Sequence, residues 1–130
     1  MRIQIIIFII LILVQYLLHE YKCEDKRGKL LLLFHHIFSI YLIFGSLLFG
    51  YYKIHLSVII ISLIIHIIFV TCPLTTINNI LCDQPLKKPM ITYLNHIIEP
   101  LSLTKKTRNR TYHILLIGLI IYDIYKGFIV

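Results

Sequence analysis

Tryptophan is absent from this chain, and negative charge is scarce: six Asp and Glu stand against thirteen Lys and Arg in 130 residues. Charged residues of both signs make up only 15%. Each shortage excludes something. Without Trp, the nine Tyr must supply most of any aromatic belt at a membrane boundary. Three Cys is an odd number, which predicts thiols rather than a set of paired bridges. No C-x-x-C or H-E-x-x-H spacing occurs, so the tightly spaced metal and redox motifs are missing. No small-x-small cleavage site follows the first apolar run, where the residues are Leu18-His19-Glu20-Tyr21-Lys22. That run therefore reads as a retained signal anchor rather than a cleaved signal.

What the chain has in quantity is apolar sequence, 58% of it, arranged in blocks rather than at helical or strand spacing. A single small soluble domain has no interior large enough to hide such blocks. A lipid bilayer can hide them, and only helices or closed barrels satisfy their own backbone there. Barrel strands alternate apolar and polar residues; these runs do not. The fold class expected is an all-α integral membrane bundle of four transmembrane helices. The net charge of +7 does not point to nucleic acid, because the basic residues lie between the apolar runs instead of forming one face. They suit orientation in the membrane and contact with anionic lipid headgroups.

In chain order, 1–21 forms a signal anchor or first span, and 22–130 a membrane domain with further helices at 30–52, 54–71 and 112–125. Arg27-Gly28-Lys29 reads as a helix stop. Lys53 is the only charge between the second and third spans, which predicts a tight antiparallel hairpin. Gly45, Ser46 and Gly50 are small enough to admit a neighbouring helix closely. Pro73 ends the third span, and 72–111 reads as a loop with short helical pieces. Thr75 is the expected N-cap of one of them, and Met90 to Ile98 is a segment suited to the headgroup layer. Asp123 and Lys126 are spaced to pair on one helix face. Asn109-Arg110-Thr111 is a glycosylation sequon that the topology predicts to stay unmodified.

Charge sets the expected orientation. Lys22, Lys26, Arg27, Lys29, Lys87, Lys88, Lys105, Lys106, Arg108 and Arg110 fall at one end of a four-span bundle, and Arg2, Lys53 and Lys126 at the other. Ten basic residues against three predict a cytoplasmic 72–111 loop and both termini on the non-cytoplasmic side. Cys23, Cys72 and Cys82 would then all face the cytoplasm as thiols.

Imidazole and thiolate are usual ligands for haem iron, copper or zinc, and ionisable groups inside a membrane are costly. His36 and His66, expected level with each other on adjacent helices, are candidate ligands for haem b or a transition metal. His35 and Cys72 are candidate metal or outer-shell members. Against this stands the plainer reading, interhelical hydrogen bonding by neutral histidines. A thiol at the C-terminal end of a helix also meets the negative end of its dipole, which argues against Cys72 as a nucleophile. Glu99 and Asp123 are too isolated to form an acid–base pair. The leading function expected is non-enzymatic, structural or partner-binding, through lipid, another membrane protein or a second copy; the alternative is a redox or metal-binding role. A transporter is a poor fit to so short a chain without repeats.

The spacing of His35, Gly45 and His55, followed by Cys72-Pro73-Leu74-Thr75 and then His96 with Pro100, resembles a family of small bacterial multi-pass membrane proteins of unknown function. The resemblance covers about Leu30 to Tyr125. It implies an α-helical membrane fold with these residues as a shared structural core. Asn78-Asn79 departs from the acidic residue usual shortly after that motif, and His66 stands where an acidic residue is common.

Overall fold

The structure is a computed structural model, and it describes residues 1–18, 23–69, 72–85 and 105–130, without the side chains of 105–109. The segment expected at the headgroup layer, with His96 and Pro100, lies outside the described residues.

The second apolar run begins its helix earlier than its hydropathy suggests. α2 spans Lys26–Phe49, because the Asp25 carboxylate accepts from the backbone N–H of Arg27 at 2.7 Å and of Gly28 at 3.3 Å. That is an N-cap, which satisfies donors the first helical turn cannot. Gly28 therefore lies inside the first turn of α2 and is not a stop. At the other end Gly50 adopts φ +68° and donates its N–H to the Ser46 carbonyl at 3.0 Å. A left-handed residue is the usual way to end a helix, and glycine adopts it without steric cost. Only Tyr51 separates Gly50 from α3, Tyr52–Phe69. The tight hairpin expected at Lys53 is present.

α1, Arg2–Leu18, has 17 residues. At a rise of ~1.5 Å per residue it reaches about 25 Å, less than a ~30 Å hydrocarbon core. Among the described residues, three helical segments are long and apolar enough to cross a membrane: α2, α3 and Arg110–Ile129. The architecture is all-α, with three such spans and a shorter apolar helix instead of four equivalent ones. α1 runs antiparallel to α2, since Phe8 meets Phe49 with ring centroids 5.3 Å apart and Tyr16 meets His36 at 5.9 Å. On α3, Ile61, Ile64, Ile67 and Ile68 are 50 to 66% exposed, a surface that only lipid or another apolar chain would cover.

The connection after α3 contains a helix. α4 spans Pro73–Leu81 with Cys72 as its N-cap residue and Pro73 in the first turn. Proline is well suited there, since its missing N–H has no helical partner anyway. Thr75 is thus inside α4 and does not cap it. At the far end Cys82 is the C-cap, and it forms a disulfide with Cys23. The expectation of three thiols is corrected: α4 folds back along the start of α2, which brings together two cysteines 59 residues apart. Gly28 is required at this crossing. A Cβ there would lie 2.5 Å from the Cys23 sulfur and 2.6 Å from that of Cys82.

α5 spans Lys105–Ile124 and continues as a π-helical turn, Tyr125–Ile129. The basic run Lys105 to Arg110 is therefore helical and not part of a 72–111 loop. α5 lies antiparallel to α3, with Tyr112 beside His66 and Tyr122 beside Tyr52. Leu42, Ile59 and Leu116, one each from α2, α3 and α5, form the buried apolar centre. A smaller cluster of Leu32 and Cys82, joined by Tyr16 and Cys23, lies at the disulfide end.

Candidate functional site

His55 opens the second turn of the α3 helix, and Asp123 lies in the last turn of α5. Both side chains are wholly buried, and His55 Nδ1 is 2.5 Å from Asp123 Oδ2. The other ring nitrogen, Nε2, lies 3.1 Å from the backbone carbonyls of both Tyr41 and Leu42 on α2. Gly45 makes room for this: a Cβ there would sit 3.0 Å from His55 Cδ2 and 2.8 Å from the Tyr41 ring. The small residues Gly45 and Ser46 thus serve packing within the chain, and Ser46 is itself fully buried. One side chain ties three helices together.

The chemistry of the pair follows from its acceptors. Carbonyl oxygens only accept, so Nε2 carries a hydrogen and donates it. Between Nδ1 and the carboxylate one further proton is shared. Whether it resides on nitrogen or oxygen, the pair holds two protons and no net charge. That is what makes it tolerable in a dry interior, where an isolated charge would be prohibitive. Asp123 Oδ1 is buried without a hydrogen-bond partner, leaving one acceptor in reserve. Asp123 accordingly turns to His55, and the expected pairing with Lys126 gives way to it.

The other end of the bundle holds a second polar group. Gln15 of α1 donates from Nε2 to His36 Nδ1 at 2.6 Å and lies 3.1 Å from the Ser39 hydroxyl. His35 Nε2 is 3.4 Å from the Thr75 hydroxyl of α4. His66, by contrast, faces α5, with ring centroids 4.7 Å from Tyr112 and 6.4 Å from His113. His36 and His66 are turned to different neighbours. Cys72 is a thiol and the N-cap residue of α4. Among the described residues no group of three or more His, Cys, Asp or Glu is placed to hold a metal ion. The two polar regions are separated by the apolar layer of Leu42, Ile59 and Leu116.

Four of the residues that carry the family resemblance form contacting pairs: His35 with Thr75, and Gly45 with His55. Sequence reasoning gave Asp123 the wrong partner, Lys126, and gave Gln15 no role. The available signal was level: His55 and Asp123 both belong to the basic-poor end, and a buried acid needs a partner at its own depth. No family model, curated protein or solved structure matches this chain.

Proposed function

We propose that this is a small multi-pass membrane protein that works through contact with a partner, either another membrane protein or a second copy, and not through turnover. The observation that carries this reading is how the buried polar groups are used. Gln15 with His36, His35 with Thr75, and His55 with Asp123 each join one helix to another. A scaffold so cross-linked presents fixed apolar faces, and the outward face of α3, with Ile61, Ile64, Ile67 and Ile68 exposed, is the candidate contact surface. The Cys-Pro-Leu-Thr resemblance supports the same reading, since its Thr75 meets His35 across two helices. The three long apolar helices and the shorter α1 all belong to the membrane in this proposal, with α1 tilted little or supplemented by its flanking residues.

The disulfide supports the orientation opposite to that of the charge count. Thiols pair and stay paired in oxidising compartments. The Cys23–Cys82 end would then face such a compartment, and both termini the reducing side. The test of partner contact is photo-cross-linking in the native membrane from a reactive residue placed at Ile61, Ile64 or Ile68. A discrete adduct from these positions, absent from buried Ile59, is the expected result. Lipid adducts alone from all three would sink the proposal.

A further inference from the structure

The end of the bundle with the fewest basic residues nevertheless gathers two of them around one cavity. Gly50, Tyr51, Tyr52, Lys53, Ile54, Lys126 and Gly127 line an open-mouthed pocket of about 340 Å³. The pocket sits where α2 ends, α3 begins and the π-helical turn follows α5. Those are the ends of the three described helices long and apolar enough to cross a bilayer, so in a bilayer crossed by them the pocket would lie at headgroup depth. Gly127 lets the turn close onto α3: a Cβ there would lie 3.2 Å from Tyr52 Cβ and 3.7 Å from Lys53 Cγ. This approach sets Lys53 and Lys126 on one wall.

Neither ammonium has a carboxylate partner among the described residues. Asp123, the acid nearest to Lys126 in sequence, is buried against His55. Lys53 instead rests over the Phe128 ring, 5.0 Å from its centroid. Tyr51 and Ile54 in the lining, and Phe128 under Lys53, are 56 to 63% exposed, an apolar rim beside the two lysines. The backbone N–H groups of Tyr52, Lys53 and Ile54 precede the first amide that bonds back along α3, that of His55 to the Tyr51 carbonyl.

We infer that this pocket binds the phosphate of an anionic phospholipid headgroup, with Lys53 and Lys126 as its cationic contacts and the apolar rim against the start of the acyl chains. Two unpaired positive charges at headgroup depth need an anion, and the adjoining rim needs hydrocarbon; an anionic phospholipid supplies both. A dissolved phosphate supplies only the first. The site is distinct from the His55–Asp123 pair beneath it and from the outward face of α3.

The test is lipid binding to the detergent-purified full chain, titrated with dioleoylphosphatidylglycerol or dioleoylphosphatidylcholine and read by native mass spectrometry. Wild type should prefer phosphatidylglycerol, and the K53Q/K126Q variant should lose about thirtyfold of that preference. K126Q alone should lose about fivefold, which secures the test if the double variant fails to fold. K26Q/K29Q, at the opposite end, should bind as wild type, and millimolar inorganic phosphate should not displace the lipid. Undiminished preference in K126Q and in a folded K53Q/K126Q, or displacement by inorganic phosphate, would overturn the proposal.

Discussion

At His55 the three acceptors around one imidazole decide what each substitution does. Removing one member of a buried, hydrogen-bonded ionisable pair leaves the other stranded, which costs about 3–5 kcal/mol. That exceeds the ~0.6 kcal/mol average of interhelical hydrogen bonds in membranes, because both partners here are ionisable and fully dry. Asp123→Leu and His55→Leu are each expected to lower stability by about that amount, while the double variant loses less than either. Unfolding in mixed micelles measures all three. Asp123→Asn is expected to be much milder than Asp123→Leu, because its amide can donate to Nδ1 while Nε2 keeps its hydrogen. If Asn proved as damaging as Leu, the two-proton account of the pair would fail. This pair was not legible beforehand: its members stand 68 residues apart, and Asp123 had Lys126 as a nearer partner at helical spacing. Short-range spacing rewards local pairs, whereas burial rewards those that meet in depth.

Among the elements, the α2–α3 hairpin could be read directly, because two apolar runs met at one Lys and one Gly. The boundaries were less legible, since helix ends follow caps rather than hydropathy. Asp25 starts α2 four residues before its apolar run begins at Leu30, and the Arg27 side chain hydrogen-bonded to it holds its carboxyl below the usual carboxylate range. A depressed carboxyl stabilises the fold at pH above its ordinary value of 3.8 and loses that contribution as pH falls through the lowered one. The α2–α4 crossing is the larger effect. Closing a ring of 59 residues restricts a fully unfolded chain by about 4 kcal/mol, an upper bound where spans stay inserted. Gly28→Val is expected to prevent that closure, since its side chain would overlap both sulfurs. Counting maleimide-reactive thiols in denaturant without reductant checks it: one in wild type, three in the variant.

At the scale of the whole molecule, class and orientation have different grounds. That the chain is helical and apolar enough for a membrane was plain from its blocks of Ile and Leu. Its sidedness rests on two opposed features, the charge count of the sequence and a disulfide at the end which that count assigns to the cytoplasm. A C-terminal green fluorescent protein fusion separates them, since the fluorophore fails to mature after export. Bright cells are expected if the disulfide governs; dark cells would return the charge count to favour. Spectra and metal analysis of purified protein are expected to show neither a Soret band nor stoichiometric metal. One haem or one metal ion per chain would instead revive His36 and His66 as ligands.

The depth at which His55 meets Asp123 also has a consequence in time. A ribosome adding roughly 5–20 residues per second needs on the order of 3 to 14 s to make the 68 residues between them. For that interval the newborn hairpin holds an imidazole in the membrane with no carboxylate to face. It can wait there only as the neutral ring, donating to the Tyr41 and Leu42 carbonyls already at hand. α5 thus brings the acid that completes a slot prepared by residues Tyr41 to His55. A nascent protein stopped short of Asp123 would present to the cell's quality control an unfinished seam, and truncation there should shorten its lifetime more than loss of the residues after it.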